Sequence, residues 1–356
     1  MKNLIFLCVL IAFVFLVGSC RDTNPTNSKD TEDTSKVTEV EFHDINLGDM
    51  LFLIGTELSP DGSIIAISGI KKQNSSFSGV FDTKTGIELF EYESYAFPVN
   101  FSDDGSKLLF MGVKDTAVVI NTHSGEILQK FSGVSTPRML PDGSAVIFKY
   151  RNQDLKFGVY SVLDGKKIKD LTFTDIADSY WDFVGTRGSK RIILVKAYED
   201  KNLTLSNVKI IEWDITTDTK VSEITIPNIL YNELETGYTS DRSAVVLREP
   251  YTNSLNFFNT QTGVKINSVP IVLTSYRQSY GFSNDLTFAT RKYDVDSKKL
   301  LPLATYNMSD LKSKQKLTMS SDSIDYTEYA YSNNSQFLAG FKTNNRKLDV
   351  RIWKLK

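Results

Sequence analysis

FDTKTGIELFEY, residues 81–92, is the stretch whose reading decides the fold. A Thr-Lys-Thr-Gly run between apolar segments could cradle a phosphate, cap a helix or turn the chain. A phosphate loop of the G-x-x-x-x-G-K-[ST] type sits between a strand and a helix. Here the residues after Gly86 alternate as a strand does, so the run reads as a turn between strands. It returns as INTHSGEILQKF (120–131) and FNTQTGVKINSV (258–269), and with a shorter turn as SVLDGKKIKDLTF (161–173). Gly86, Gly125 and Gly165 are spaced by 39 and 40 positions, and Gly263 marks a later copy.

A second marker interleaves with the first. LSPDGSIIAIS (58–68), FSDDGSKLLFM (101–111), LPDGSAVIFKY (140–150) and VGTRGSKRIILV (184–195) are its stronger copies. TSDRSAVVL (239–247), FSNDLTFAT (282–290) and YSNNSQFLAG (331–340) are weaker, which makes seven. Asp-Gly and its substitutes tolerate the positive φ of tight hairpins, and the flanks are strand-like. Each copy therefore carries four strands: one before the Asp-Gly turn (a), one after it (b), one before the Thr-Gly turn (c) and one after it (d). Four antiparallel strands recurring every ~40–45 residues is the pattern of a β-propeller blade.

On these residues residues 38–356 resemble the WD-repeat propellers, notably in LSPDGSIIAISG, KIIEWDI (209–215) and VRIWKLK (350–356). No Gly-His pair introduces a blade and Trp-Asp occurs once, at Trp213-Asp214, so the resemblance is to a divergent bacterial form. It implies an all-β chain: a seven-bladed β-propeller of four-stranded antiparallel blades. The last copy stops at Lys356 without strand d, while TEVEFHDI (38–45) precedes the first copy unassigned. If that segment completes the last blade, the ring closes and its exposed edge disappears. Six or eight blades stay open, because 54 positions separate Gly188 from Arg242 and the sixth copy is weakly patterned.

The first residues are a separate object. Lys2 is followed by 14 apolar residues, Leu4–Val17, and then by Gly18, Ser19 and Cys20. That run is shorter than the ~20 residues that span a bilayer, so it reads as a secretory signal. Val17-Gly18-Ser19-Cys20 resembles the lipobox of bacterial lipoproteins, which implies that Cys20 is diacylated and becomes the mature N-terminus. The only other cysteine, Cys8, lies inside the apolar run, so Cys20 has no disulfide partner. RDTNPTNSKDTEDTSK (21–36) has no large apolar residue and reads as a tether. The expected organisation is a signal peptide at 1–19, a lipidated cysteine and tether at 20–37, and the propeller at 38–356. The expected location is the bacterial cell envelope with a lipid anchor; Arg21 rather than Asp after the cysteine is compatible with the outer membrane.

Composition narrows the function. With 41 Lys plus Arg against 43 Asp plus Glu, the chain lacks the basic footprint of a nucleic-acid binder. His43 and His123 are its only histidines, on different elements, so no zinc site is expected. Asp294 and Asp296 hint at a calcium loop but lack the glycine and the distal glutamate. No G-x-S-x-G elbow occurs, and no metal, cofactor or catalytic residue is assigned. The a–b and c–d turns are short and share one face. The b–c and d–a connections, longer and irregular, share the other, and binding usually resides in such loops. The crossovers carry Tyr95, Tyr180, Trp181, Tyr231, Tyr276, Arg277 and Tyr326, residue types that dominate hot spots. The preferred reading is a monomeric, non-catalytic scaffold that binds an envelope protein or a glycan through this face. A propeller enzyme with a site at the central channel is the alternative.

Overall fold

Short-range hydrogen bonds set the turns. The computed structural model describes residues 42–355 apart from 47–49, 72–74, 93–95, 113–114, 151–155, 174–181, 199–204, 231–235, 240–242, 250–253, 271–280, 283–286, 291–292, 295–298, 301–302, 309–312, 318–327, 333–334 and 345–346. At the opening stretch, strand Ser76–Asp82 ends on a side chain that turns the chain back. Asp82 Oδ1 accepts from the backbone N–H of Lys84 (3.1 Å) and of Thr85 (2.7 Å). Gly86 follows at φ +69°, a value that side-chain-bearing residues avoid, and strand Glu88–Glu91 begins. Asn121 and Asn259 do the same for the backbone N–H groups two and three residues on.

The Asp-Gly turns are built on a serine and an aspartate. Asp61 Oδ1 accepts from Ser59 Oγ (2.7 Å) and from the Ser63 N–H (3.0 Å), while Ser59 Oγ itself accepts the Ile64 N–H (2.9 Å). Ser102, Asp104, Ser106 and Lys107 repeat this bond for bond. The two turns of one sheet are then tied together. Thr83 Oγ1 donates to Gly62 O at 2.6 Å, and its N–H donates to Ser63 O at 2.9 Å. Thr122 Oγ1 makes the equivalent bond to Gly105 O, and Thr260 Oγ1 donates one residue further on, to Ser243 O. Because Thr83 is buried, Thr83→Val strands the Gly62 carbonyl without a donor; a loss of about 1 kcal/mol is expected in urea unfolding.

Among the described residues the strands form seven four-stranded antiparallel sheets. In the first, Met50–Leu58, Ile64–Lys71, Ser76–Asp82 and Glu88–Glu91 lie in chain order. The next two sheets run from Ala96 to Ser132 and from Val134 to Thr172 with the same order. The fourth contains Asp182–Arg187, Arg191–Tyr198, Leu205–Asp214 and Thr219–Leu230. The fifth begins at Thr236 and ends at Pro270. The sixth pairs Gly281–Phe282, Thr287–Thr290, Ala304–Asn307 and Ser313–Lys316, with a two-stranded hairpin, Tyr293–Asp294 and Lys299–Leu300, between its second and third strands. The seventh takes Glu328–Tyr331, Phe337–Asn344 and Lys347–Lys354 from the end of the chain and Phe42–Asn46 from its beginning. Phe42 pairs with Trp353 and Asn46 with Asp349, so the strand sought at 38–45 is present from residue 42 onward.

The core lies between sheets, face to face. Ile64, Ala66 and Val80 of the first sheet meet Phe101, Leu108 and Phe110 of the second. Ile65, Ile67 and Phe77, on the opposite face of that first sheet, meet Ile45, Phe341, Val350 and Ile352 of the seventh. A second strand covered on both faces has no solvent side. That explains why IIAI (64–67) is continuously apolar instead of alternating. The architecture is a β-propeller of four-stranded antiparallel blades.

The long interval after Gly188 has a plain cause. It lengthens strands Leu205–Asp214 and Thr219–Leu230, of 10 and 12 residues, where the equivalent strands of the second and third sheets have six. Sequence reading also passed over the c–d turn of this sheet, because Asp218 at φ +55° stands where the other copies have glycine. Asp218 is retained for its side chain: Oδ1 accepts from Nε1 of the buried Trp213 at 2.8 Å, and Oδ2 accepts from the Thr172 N–H of the preceding sheet at 3.3 Å. Asp218→Gly relieves the backbone but leaves the indole N–H buried without that acceptor. Since the second effect is the larger, a net loss of about 1 kcal/mol is expected in thermal or urea unfolding.

Candidate functional site

Among the described residues, the polar groups of the short-turn edge are largely used within the turns. On the short-turn edge the carboxylates serve the turns. Asp104 is held down at about 2, first by the hydrogen bond from Ser102 and then by the Ser106 N–H. Asp82 and Asp214 are also lowered, by bonds from Thr85 and from the Thr217 N–H respectively. Asp103, between them in kind, is raised by burial and by the neighbouring Asp142 and Asp104. For Asp104 the folded pKa lies below the unfolded one, so its contribution is complete above about pH 4 and is lost as pH falls toward 2. The group is largely solvated, so screening limits that contribution to less than about 1 kcal/mol. Asp104→Asn should flatten the acid limb of the stability profile between those pH values.

Neighbouring sheets lock this edge further. The Asp103 N–H donates to Pro141 O at 2.6 Å. Asn100 Nδ2 donates to Met139 O (2.9 Å) while its Oδ1 accepts the Met139 N–H (3.0 Å), joining the first strands of the second and third sheets. Those first strands carry the groups a channel enzyme would use. Here Asn100 is committed to backbone, and Arg138 donates to Pro137 O with Glu57 as the nearby opposite charge. His43 lies on strand Phe42–Asn46, and His123 sits in a turn beside Thr122 Oγ1 (3.3 Å), so the two occupy separate elements. Among the described residues no three His, Cys, Asp or Glu side chains converge as metal ligands.

Tyr95, Tyr180, Trp181, Tyr231, Tyr276, Arg277 and Tyr326, expected in the crossovers, all lie outside the described residues, as do Cys20, Asp296, the signal segment and the tether. What the structure does show is a cluster spread over the second, third and fourth strands of the third sheet, which the sequence reading did not single out. Tyr150, the last residue of strand Ala145–Tyr150, has its hydroxyl 2.7 Å from Asp170 Oδ1 and 3.0 Å from Tyr160 Oη. Lys156 Nζ and Lys167 Nζ stand 5.8 and 5.7 Å from the Tyr150 ring centroid, within cation–π range. Phe148 stacks on Tyr160 at 4.6 Å.

Gly158 makes this arrangement possible. A Cβ at that position would come within 2.5 Å of both Tyr150 Oη and Tyr160 Cε2. An isolated glycine inside a strand, as in KFGVYS (156–161), signals such a close approach and could have located the cluster. Burial and the hydrogen bonds to Tyr160 and Asp170 push the Tyr150 phenol upward, so it stays protonated and is not a base. The Tyr150 hydrogen bond also lowers Asp170. The cluster offers aromatic surface, ammonium groups and a carboxylate, groups suited to recognition.

Comparison with known proteins places the fold and nothing finer. No family model matches the chain, and no curated protein matches it in sequence. Among solved structures, a chain of the crystal structure of a mitotic checkpoint complex is similar at a TM-score of 0.55 and 12% identity. That likeness covers 97% of this chain and 99% of that one. The Cps50 (Swd1) β-propeller domain of Myceliophteria thermophila is similar at a TM-score of 0.55 and 10% identity, covering 86% and 99%.

Proposed function

We propose that this chain is a lipid-anchored propeller of a bacterial cell envelope that acts as a non-catalytic protein-interaction scaffold through its long-loop edge. The single observation that carries this reading is the inequality of the two edges. Turn carboxylates, serines and threonines of the short-turn edge are spent on one another, whereas the connections that join the other ends of the strands are longer and irregular in sequence. That is the usual division between scaffold and binding surface. The likeness to a chain in a multiprotein complex agrees with it. Residues 1–19 are the signal peptide, 20–37 the acylated cysteine and tether, and 38–356 the propeller. The seven sheets are the seven blades of one ring, which Phe42–Asn46 closes. Two features support closure: the strand pairing, and the core shared by the first and seventh sheets.

The test is capture in the native envelope. Crosslinking of intact cells should attach specific envelope proteins to the wild-type chain. Tyr180→Ala, Trp181→Ala, Tyr276→Ala and Arg277→Ala together should remove them while the thermal midpoint stays nearly unchanged. Equal capture by wild type and variant would move the binding surface away from these crossovers. Cys20→Ala should release the chain from the membrane fraction.

A further inference from the structure

Charged groups that folding encloses are paired as a rule. Arg187 and Arg191 each hold Glu212, at 3.0 and 3.1 Å, and Arg351 holds Asp44. Arg138, on strand Val134–Met139, departs from that rule. Its one hydrogen bond among the described residues runs from Nη1 to the carbonyl of its own neighbour, Pro137, at 2.9 Å, and no carboxylate forms an ion pair with it. A guanidinium carries several N–H donors in a planar fork, and most of those of Arg138 therefore have no protein acceptor. The side chain is half-buried by area, yet protein surrounds it closely enough that desolvation holds its pKa below the usual arginine value. A group walled in by protein and still open to solvent on one side lies in a recess.

Three first strands build that recess. Glu57, Asn100 and Arg138 each stand five residues before the glycine of an Asp-Gly turn, and they pair with Ala66, Leu109 and Ile147 at the same level of successive sheets. The charge of Glu57 acts on Arg138, without an ion pair, although a whole sheet lies between theirs in the chain. The first strands of the three sheets therefore converge. Asn100 fixes the backbone next to the guanidinium through its two bonds to Met139. Each strand is also bulged, with register slips between Leu53 and Gly55, between Pro98 and Asn100, and between Ser135 and Arg138. Bulges of this kind re-aim side chains beside binding sites. In the third of them Thr136 takes φ +45°, which a β-branched residue adopts only at a cost.

We propose that Arg138 anchors a carboxylate-binding site where the first strands of the first three sheets converge. Its free N–H groups form a planar fork that matches the two oxygens of a carboxylate. Glu57 nearby disfavours a second negative charge, which selects a monoanion over phosphate. The source of the carboxylate is a free small acid or an acidic side chain of a peptide. This site is separate from the long-loop connections and depends neither on them nor on the lipid anchor.

The test titrates the full chain, labelled with nitrogen-15 arginine, with sodium acetate at constant ionic strength. The Nε–H resonance of Arg138, assigned by its loss in Arg138→Met, should shift saturably, and acetate should raise the thermal midpoint. Arg138→Met and Arg138→Lys should bind acetate about tenfold or more weakly, because both lose the fork although lysine keeps the charge. Without acetate, Arg138→Met should unfold at or above the wild-type midpoint, since it removes a desolvated charge that no carboxylate holds. A marked loss of stability there would show a structural role and overturn the proposal. No saturable shift at Arg138, undiminished binding by the lysine variant, or equal responses to phosphate and acetate would overturn it as well. N-acetyl-Gly-Asp-Gly-amide, compared with its Asn counterpart, tells the two sources apart. Binding tighter than that of acetate identifies a peptide carboxylate, and exclusion of the peptide while acetate binds identifies a free acid.

Discussion

Gly62→Ala should lower the stability of the domain by about 2–4 kcal/mol, the largest effect expected of a single methyl added at a described glycine. Two costs coincide. Gly62 has φ +71°, which an alanine adopts at roughly 1 kcal/mol. Its Cβ would also stand 2.2 Å from the ring of Phe337, and overpacking of that severity costs about 1–3 kcal/mol where the ring has little room to withdraw. Phe337 packs against the core shared by the first and seventh sheets. The contact thus joins positions 62 and 337, near the two ends of the domain. Phe337→Leu in the Gly62→Ala background should recover the steric part and leave the backbone part. Urea unfolding of the four variants then yields a coupling of 1 kcal/mol or more in magnitude. Additive effects would mean that the first and last sheets are not held together there.

The second large effect is an asymmetry at strand Phe42–Asn46. Arg351 is 1% exposed and directs Nε and Nη2 at the two carboxylate oxygens of Asp44, a fork-to-fork pair between strands Lys347–Lys354 and Phe42–Asn46. Removing the anion leaves a buried guanidinium without this carboxylate, a change that costs about 3–5 kcal/mol in fully buried pairs. Asp44 is more than half exposed, so its solvation already weakens the pair, and Asp44→Ala should cost about 2 kcal/mol. Arg351→Met removes charge and desolvation together and should be close to neutral. Thermal unfolding of the two variants separates them. Equal losses would show that Arg351 acts by packing rather than by charge.

Much of the blade pattern is written in local signals. Asp82, Asn121 and Asn259 each bond to backbone two and three residues ahead, and Gly86, Gly125 and Gly263 take the positive φ that follows. Such turns are legible in any window of six residues. The fourth c–d turn escaped because Asp218 replaces the glycine for the sake of Trp213 and Thr172, partners that no local pattern names. The cluster of Tyr150, Tyr160 and Asp170 escaped for the same reason. Its members lie on three strands of one sheet, and Gly158 was its one trace in the sequence.

The order of strands within each blade, the turn that FDTKTGIELFEY makes and the apolar second strands followed from the sequence by itself, because each depends on neighbours a few residues apart or on a face that must be dry. Which blade meets which was decided in three dimensions. Gly62 against Phe337, Asp44 against Arg351, and Gly86 seated on Ile45 of strand Phe42–Asn46 are contacts between segments up to 307 positions apart. Their residue types are unremarkable in sequence. Packing density and the desolvation of a buried cation give them meaning, and both exist only after the chain has brought its ends together.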